Sequence, residues 1–255
     1  MTAKGKVFQK WRRVFGGAGV VVLLLMFGCS SIERRFLFYP SHGSSLNGFT
    51  AWSHEGELIG VSRTVAAPRN VWLFLHGNAG QAADREYALP CFSDGDSVFI
   101  MEYPGYGKRR GRPGKDSFNA AAKEAYLLLR KTYPTAPVCV ASESIGAGPA
   151  CSLATAEPAP DKMVLVVPFE DMGLVARDHF PGWFVKLALS SDWNNVASLA
   201  GYKGQVDIFA AEGDTLIAPR HAQALAGSIA NAKFTLVPGG HNDWAESELV
   251  KVRNP

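Results

Sequence analysis

Ser144 lies at the centre of residues 142–146, SESIG, which follow an apolar run and precede the small residues AGPA at 147–150. This order predicts a strand that turns sharply into a helix with a serine at the turn, the arrangement called a nucleophile elbow. Strand and helix nearly touch at such a turn, so the neighbouring side chains must be small, as Gly146 and Ala147 are. The segment therefore predicts that Ser144 is a nucleophile.

Two residues further along the chain are suited to activate this serine. A serine hydroxyl is a weak nucleophile until a base accepts its proton, and His241, on the loop PGGH at 238–241, is the predicted base. Asp214 follows another apolar segment and would orient the imidazole and stabilise its protonated form, with Glu212 as the alternative acid. The chain order serine, aspartate, histidine predicts a hydrolytic triad.

A serine hydrolase also needs backbone N–H groups that hold the negatively charged oxygen of its intermediate. One predicted donor is the N–H of Ile145, directly after the nucleophile. The second is expected in the loop HGNAG at 76–80, which follows the apolar run VWLFL. Asn78 is the candidate there, and Ala79 is the alternative.

The elements that must position these residues alternate along the chain between short apolar runs and helical stretches. Strands with helices between them predict a parallel sheet with right-handed crossovers. Near-continuous apolar runs agree, because strands of such sheets are covered on both faces. The predicted strands are 71–75, 97–101, 138–141, 163–167, 206–210 and 233–237, and the predicted helices are 81–89, 117–132, with Asp116 as its cap, 147–156 and 220–229.

Several motifs together resemble the α/β-hydrolase superfamily of serine hydrolases, and within it the branch that includes membrane-associated protein depalmitoylases. The matching segments are FYP at 38–40, HGNAG at 76–80, EYPGYG at 102–107, SESIG at 142–146, Asp214, and GHND at 240–243. Ser142 replaces a glycine of that pattern, and Ala211 stands where the branch often has glycine. The resemblance implies an α/β-hydrolase fold over residues 36–255, with a mostly parallel sheet flanked by helices.

The segment 168–191 lies where such folds insert a cap. It is apolar and aromatic but too short for a lid domain, so we expect a minimal cap of one or two small helices. These helices would form an apolar wall over Ser144, which favours an acyl group as substrate. The alternative is ordinary packing of this segment on the domain.

The first 28 residues have the layout of a signal peptide. Five basic residues precede a 14-residue apolar stretch at 14–27, which is short for a membrane span. Cys29 follows a glycine directly and resembles the lipidated cysteine of a bacterial lipoprotein, with 29–35 as a tether. The alternative is an uncleaved anchor helix. Either arrangement places the domain in the cell envelope, outside the cytoplasm.

The charge and the cysteine content of the chain argue against several kinds of partner and site. The chain has 26 Lys and Arg against 23 Asp and Glu; residues 1–28 hold five of the basic residues and no acidic ones, which leaves 21 against 23 and a net charge of −2. The basic balance therefore belongs to the targeting segment, and no nucleic-acid partner is expected. Three cysteines besides Cys29 cannot all pair, and no spacing indicates a metal site.

The sequence thus predicts a membrane-tethered serine hydrolase that cleaves esters or thioesters through an acyl-enzyme intermediate, without a cofactor. Its substrates would be acyl compounds, including acylated proteins. A peptidase or amidase of the same fold is the alternative enzyme. A non-catalytic envelope lipoprotein that binds a partner is a further alternative, disfavoured because the triad is intact.

Overall fold

The computed structural model describes residues 37–43, 45–189 and 192–254. Eight strands form one sheet in the order β10-β9-β8-β7-β4-β6-β3-β2, and β1 pairs with β5 beside it. The strands are β1 Tyr39–Pro40, β2 Thr50–His54, β3 Glu57–Arg63, β4 Val71–Leu75, β5 Ala79–Gly80, β6 Ser97–Met101, β7 Val138–Glu143, β8 Lys162–Val166, β9 Gln205–Ala211 and β10 Ala232–Val237. The six strands from β6 across to β10 are parallel, and β2 and β3 are antiparallel to their neighbours.

Within the described residues, six α-helices and several 3-10 turns cover the sheet. The helices are α1 Lys115–Thr132, α2 Ala147–Ser152, α3 Met172–His179, α4 Gly182–Ala188, α5 Asn195–Leu199 and α6 Pro219–Gly227. A 3-10 segment occupies Ala82–Cys91, where a helix over 81–89 was predicted. The helices α3 and α4 form the minimal cap expected from the sequence.

The alternation of side chains along β4 shows why this sheet is buried on both faces. Leu73 and Leu75 point into one core with Phe118 of α1, whereas Trp72 and Phe74 point into the other core with Phe92. Every residue of β4 is buried, as is every residue of β6, β7 and β8. A strand that packs on both faces must be apolar throughout, which is the pattern that predicted it.

The predicted central sheet is confirmed, but parts of its surroundings differ from the sequence-based expectation. The antiparallel strands β2 and β3 were not predicted. The backbone of Gly114, not the side chain of Asp116, stands at the N-cap of α1, so that prediction was wrong. Asp116 lies in the first turn, where its negative charge favours the helix dipole.

The predicted signal peptide at 1–28, Cys29 and the tether at 29–35 lie outside the described residues. Within the described part of the chain, no helix is both long and apolar enough to cross a bilayer.

Candidate active site

The nucleophile elbow lies where β7 ends beside β4, at the point where successive strands are added to opposite sides of β4. Ser144 follows β7 with a φ of +52°, in the left-handed region that L-residues rarely adopt. Gly146 packs so closely on β4 that an added Cβ would lie 2.1 Å from the carbonyl oxygen of Leu75. The tight contact holds the strained turn, and the turn exposes the Ser144 hydroxyl to the cavity described below.

The three predicted triad residues come together at this turn. The Ser144 Oγ and the His241 Nε2 are 2.9 Å apart, and the His241 Nδ1 lies 2.7 Å from an Asp214 carboxylate oxygen. These distances form a continuous path of hydrogen bonds from the hydroxyl through the imidazole to the carboxylate. The arrangement can remove the proton of Ser144 and stabilise the resulting imidazolium.

Asp214 is held in place by the loop that follows β9. Its second carboxylate oxygen accepts hydrogen bonds from the backbone N–H groups of Leu216 and Ile217, at 2.9 and 2.8 Å. Glu212, the alternative acid, is exposed to solvent. The structure therefore brings Asp214, and not Glu212, to the histidine.

The His241 loop is fixed by a second aspartate. The Asp243 carboxylate accepts a hydrogen bond from the N–H of Gly240 at 2.8 Å, directly before the histidine. Asp243 stands at the N-cap position of the short 3-10 turn Trp244–Glu246, but its side chain makes no capping bond there and instead closes this loop. The N–H of Gly213 also donates to the carbonyl of Gly239, which couples the loop to the one that carries Asp214.

The loop after β4 lies beside Ser144 and carries the predicted second donor of the oxyanion hole. The Asn78 side chain is fully engaged: its oxygen accepts from the Tyr106 hydroxyl at 3.0 Å and the Tyr39 N–H at 3.3 Å, and its nitrogen donates to the Leu37 carbonyl. Asn78 thus fixes the loop through its side chain, while Asn78, Ala79 and Ile145 all line the cavity. Their backbone N–H groups stay the predicted donors.

Glu143, the residue before the nucleophile, was given no role from the sequence. Its buried carboxylate accepts hydrogen bonds from the Gly77 N–H at 2.7 Å, the Tyr87 hydroxyl at 2.6 Å and the Trp244 indole at 3.2 Å. Burial and the charge of Glu143 raise the pKa of Tyr87, which keeps its hydroxyl protonated as a donor. Glu143 therefore joins the elbow to the loop after β4 and to the segment after His241.

Arg85 completes this arrangement from the other side. Its guanidinium lies 3.4 Å from the Glu143 carboxylate and donates to the carbonyls of Gly77 and Ala79. Burial would lower the pKa of Arg85, but the charge of Glu143 and the interaction with the Tyr87 hydroxyl raise it overall. Glu143 thus binds the N–H of Gly77, and Arg85 binds the carbonyls of Gly77 and Ala79, so that both side chains hold the loop after β4. We call Glu143 and Arg85 together the loop clamp.

Above Ser144 lies a cavity of about 570 Å³ whose walls are mainly apolar. The cap segment 168–191 contributes five of the apolar side chains. The apolar lining residues include Leu37, Val167, Met172, Val175, Ala176, Phe180, Leu189, Leu216 and Ile217. A cavity of this size falls in the range that holds small-molecule ligands.

The cap is attached to the domain by a buried histidine on α6. The two ring nitrogens of His221 contact carboxylates of Glu170 and Asp178, at 2.8 and 2.7 Å. Asp178 lies on α3 and Glu170 lies just before that helix, so His221 ties the cap to α6. His179 adds a second attachment through the Leu216 carbonyl at 2.8 Å.

The described cysteines, Cys91, Cys139 and Cys151, are free and buried. Burial raises the pKa of Cys139 to about 12 and raises that of Cys151 further, so these thiols stay protonated and are poor nucleophiles. Among the described residues, no group of three or more His, Cys, Asp or Glu side chains is placed to bind a metal ion.

No family model matches the sequence. Two proteins from strains of Mycobacterium tuberculosis, both described only as uncharacterized, are 28% identical over 231 residues, covering 84% of this chain and 82% of theirs. The similarity to these two relatives extends over most of the chain, and their descriptions state no activity.

Solved structures share the architecture at low sequence identity. An esterase from Pyrococcus furiosus is similar with a TM-score of 0.60 and 16% identity, covering 82% of this chain and 95% of the esterase. A hydrolase from Pseudomonas aeruginosa gives 0.59 and 18%, covering 78% and 93%. An enol-lactonase from Burkholderia xenovorans gives 0.59 and 11%, covering 77% and 94%. The chain therefore has the α/β-hydrolase fold.

Proposed function

We propose that this protein is a serine hydrolase that cleaves ester or thioester bonds of acyl substrates through an acyl-enzyme intermediate. The observation that carries the proposal is the continuous path from Ser144 through His241 to Asp214, at the floor of an apolar cavity. One fold can support many chemistries, whereas the geometry of the site limits which reaction is possible.

The first half-reaction forms the acyl enzyme. His241 accepts the hydroxyl proton of Ser144 while the oxygen attacks the carbonyl carbon, and the carbonyl oxygen becomes negatively charged. The N–H groups of Ile145 and Asn78 would hold that oxygen, with Ala79 as the alternative donor. When the tetrahedral intermediate collapses, protonated His241 gives its proton to the departing alcohol or thiol, and the acyl group stays on Ser144.

The second half-reaction restores the enzyme. Water enters beside His241, which accepts one of its protons as the water oxygen attacks the acyl carbon. Collapse of the second intermediate returns the proton to the Ser144 oxygen and releases the carboxylic acid. Asp214 keeps the imidazole in one tautomer throughout and stabilises its charged form.

The chemical character of the cavity supports an acyl group as substrate. Its cap side offers Met172, Val175 and Phe180, which would contact hydrocarbon and which carry no charge. Each buried methylene contributes roughly 0.8 kcal/mol when it leaves water, so a chain that fills the cavity would be bound strongly. Free fatty esters, thioesters and acylated proteins all present such a chain.

The same cavity disfavours the alternative of a peptidase that recognises a free amino terminus. That recognition needs a carboxylate that is available to an ammonium group. Among the described residues that line the cavity, Glu143 is the one carboxylate, and its partners are Arg85, Tyr87, Trp244 and the Gly77 N–H. An ester or thioester substrate requires no such group.

We further propose that the domain is held at the membrane in the cell envelope through Cys29, on the basis of the sequence of residues 1–29. Metabolic labelling with a fatty-acid probe would test this directly. The wild-type protein should carry the label and Cys29→Ala should not. Equal labelling of both would contradict lipidation at this cysteine.

A fluorophosphonate probe tests the catalytic proposal, because it reacts covalently with activated serines. The wild-type protein should be labelled at Ser144, and Ser144→Ala should not be labelled. Wild-type protein that has not been exposed to the probe should then be assayed with esters and thioesters of increasing chain length. A folded wild-type protein that neither reacts with the probe nor hydrolyses any member of the series would contradict the proposal.

A further inference from the structure

Exposed aromatic and aliphatic side chains surround the mouth of the cavity. Trp183 is 72% exposed, Leu216 is 54% exposed and Phe180 is 49% exposed, and exposed apolar residues that cluster in one patch indicate an interaction surface more than single ones do. Trp183 packs on Phe184 with ring centres 5.9 Å apart, and Phe184 packs on Phe180 at 5.7 Å. Phe180 and Leu216 also line the cavity, so these four residues form one apolar rim.

The beginning of the described chain lies at the same mouth. Leu37, the first described residue, lines the cavity, and Tyr39, also in its lining, is 54% exposed. Only nine residues separate Leu37 from Phe27, the last residue of the apolar stretch at 14–27. Ten extended peptide units span at most about 36 Å. A bilayer that holds the apolar stretch, or a lipid on Cys29, is therefore within about 36 Å of Leu37 at the mouth of the cavity.

Basic side chains beside the apolar rim would also favour contact with the headgroups of a bilayer. Arg177 on α3 and Lys186 on α4 are exposed to solvent. The nearest acid on these helices, Asp178, is already paired with Arg220 and His221. Trp and Phe next to Lys and Arg are typical of protein surfaces that rest in the headgroup region of a bilayer.

We propose that the apolar rim, Phe180, Trp183, Phe184 and Leu216, docks into the surface of a phospholipid bilayer. The cavity then opens toward the membrane, and acyl chains enter it from the lipid without crossing water. The docking surface does not depend on the chemistry at Ser144. The route of the substrate does rest on the proposed hydrolase function.

Trp183 makes the docking measurable in the full-length protein. Among the described tryptophans it is the exposed one, whereas Trp52, Trp72, Trp193 and Trp244 are buried. The full chain is reconstituted in vesicles of phosphatidylcholine and phosphatidylglycerol, with and without bromine on the lipid acyl chains. The wild-type protein and Trp183→Phe are compared, because their difference in fluorescence isolates Trp183.

We expect bromine to quench most of the emission that Trp183 contributes, and to affect Trp183→Phe much less. Equal quenching of the two proteins would overturn the proposal. The proposal is also wrong if the rim binds a second copy of the chain. In that case Trp183 would be unquenched in vesicles, and the molecular mass of Trp183→Ser in detergent would be half that of the wild-type protein.

Hydrolysis supplies the second measurement. Trp183→Ser should hydrolyse a long-chain ester embedded in the same vesicles at least about threefold more slowly than the wild type, because one apolar anchor is lost. A water-soluble short ester should be hydrolysed at the wild-type rate. Leu127→Ser, an exposed leucine on α1, is the matched control and should behave as wild type in both assays. Equal loss in both variants would contradict docking by the rim.

The two measurements separate the two proposals. If the wild-type protein hydrolyses neither ester, the hydrolase function fails while bromine quenching still decides the docking. If hydrolysis is normal and Trp183 is not quenched, the docking fails and the hydrolase function stands.

Discussion

The two sides of the cleft above Ser144 are built in opposite ways. On the side of the loop after β4, the polar groups of the loop clamp are buried and paired, and Glu143 and Arg85 fix the backbone from two directions. On the cap side, the lining is apolar, and the exposed side chains of the rim extend it outward. The first construction fixes the positions of reacting atoms, and the second accommodates a hydrocarbon chain without directional contacts.

This difference follows from the physics of each task. Stabilising a negatively charged oxygen requires donors within a few tenths of an ångström of their best position, which calls for a loop that is held by several hydrogen bonds. Binding an acyl chain requires only apolar area, because the hydrophobic effect is not directional. Substitutions on one side of the cleft should therefore have different effects from substitutions on the other side.

Replacement of the triad should have the largest effect. Ser144→Ala should lower kcat by about 10⁴-fold or more, and His241→Ala should be nearly as severe, because the two residues act as one unit. The Ser144→Ala variant loses one oxygen and should unfold at the wild-type urea concentration. Steady-state kinetics and urea titration measure both, and wild-type turnover by either variant would refute the assignment.

Breaking the loop clamp should come next. Glu143→Ala leaves the Arg85 guanidinium buried without its carboxylate and the Gly77 N–H without its acceptor. Removing one partner of a buried ion pair costs about 3–5 kcal/mol of unfolding free energy. Glu143→Gln keeps the shape and should cost less, while still lowering kcat more than it changes KM. Urea titration of the two variants tests the order, and wild-type stability of Glu143→Ala would show that the clamp is unimportant.

A change on the cap side should alter selectivity more than chemistry. Ala176 lines the cavity, and Ala176→Phe would fill part of the space for the acyl chain. The ratio of kcat/KM for a long ester to that for a short ester should fall by about 10- to 100-fold. The measurement is a chain-length series with both proteins. An unchanged ratio would mean that the chain does not lie under the cap.

The attachment of the cap should show the smallest effect. The hydrogen bond from His221 lowers the pKa of Asp178, with help from the charges of His221 and Arg220. A lowered folded pKa stabilises the protein above the unfolded value near 4, and this contribution is lost as the pH falls through the folded value. Asp178→Asn should remove this dependence and cost up to about 1 kcal/mol at pH 7. The unfolding temperatures of the wild type and Asp178→Asn, measured between acid and neutral pH, test this prediction. The same pH dependence in both proteins would argue against the pairing of Asp178 with His221 and Arg220.

The central sheet and the meeting of Ser144, Asp214 and His241 could be predicted from the sequence. Strands buried on both faces appear in the sequence as apolar runs, and Ser144 and Asp214 follow two such strands, β7 and β9. His241 follows the edge strand β10, which is only partly buried. The strands β2 and β3 were missed because only some of their residues are buried, so their pattern is mixed.

The loop clamp could not be predicted, because its members are distant in sequence and polar. Glu143 is 58 residues from Arg85 and 66 residues from Gly77, whose N–H it binds, and no local pattern indicates either contact. The contact of Asp243 could not be predicted for a related reason: an aspartate before a helical turn is typical of an N-cap, but here its carboxylate accepts a hydrogen bond from the N–H of Gly240.

The most direct test of the hydrolase mechanism is to trap the acyl group on the enzyme. The protein is mixed with a long-chain thioester, quenched in acid after a short time, digested and examined by mass spectrometry. We expect the peptide containing Ser144 to gain the mass of the acyl group, and the modification to disappear in Ser144→Ala. Turnover of the thioester with the acyl mass on another residue, or with no acyl enzyme at any time point, would contradict the mechanism.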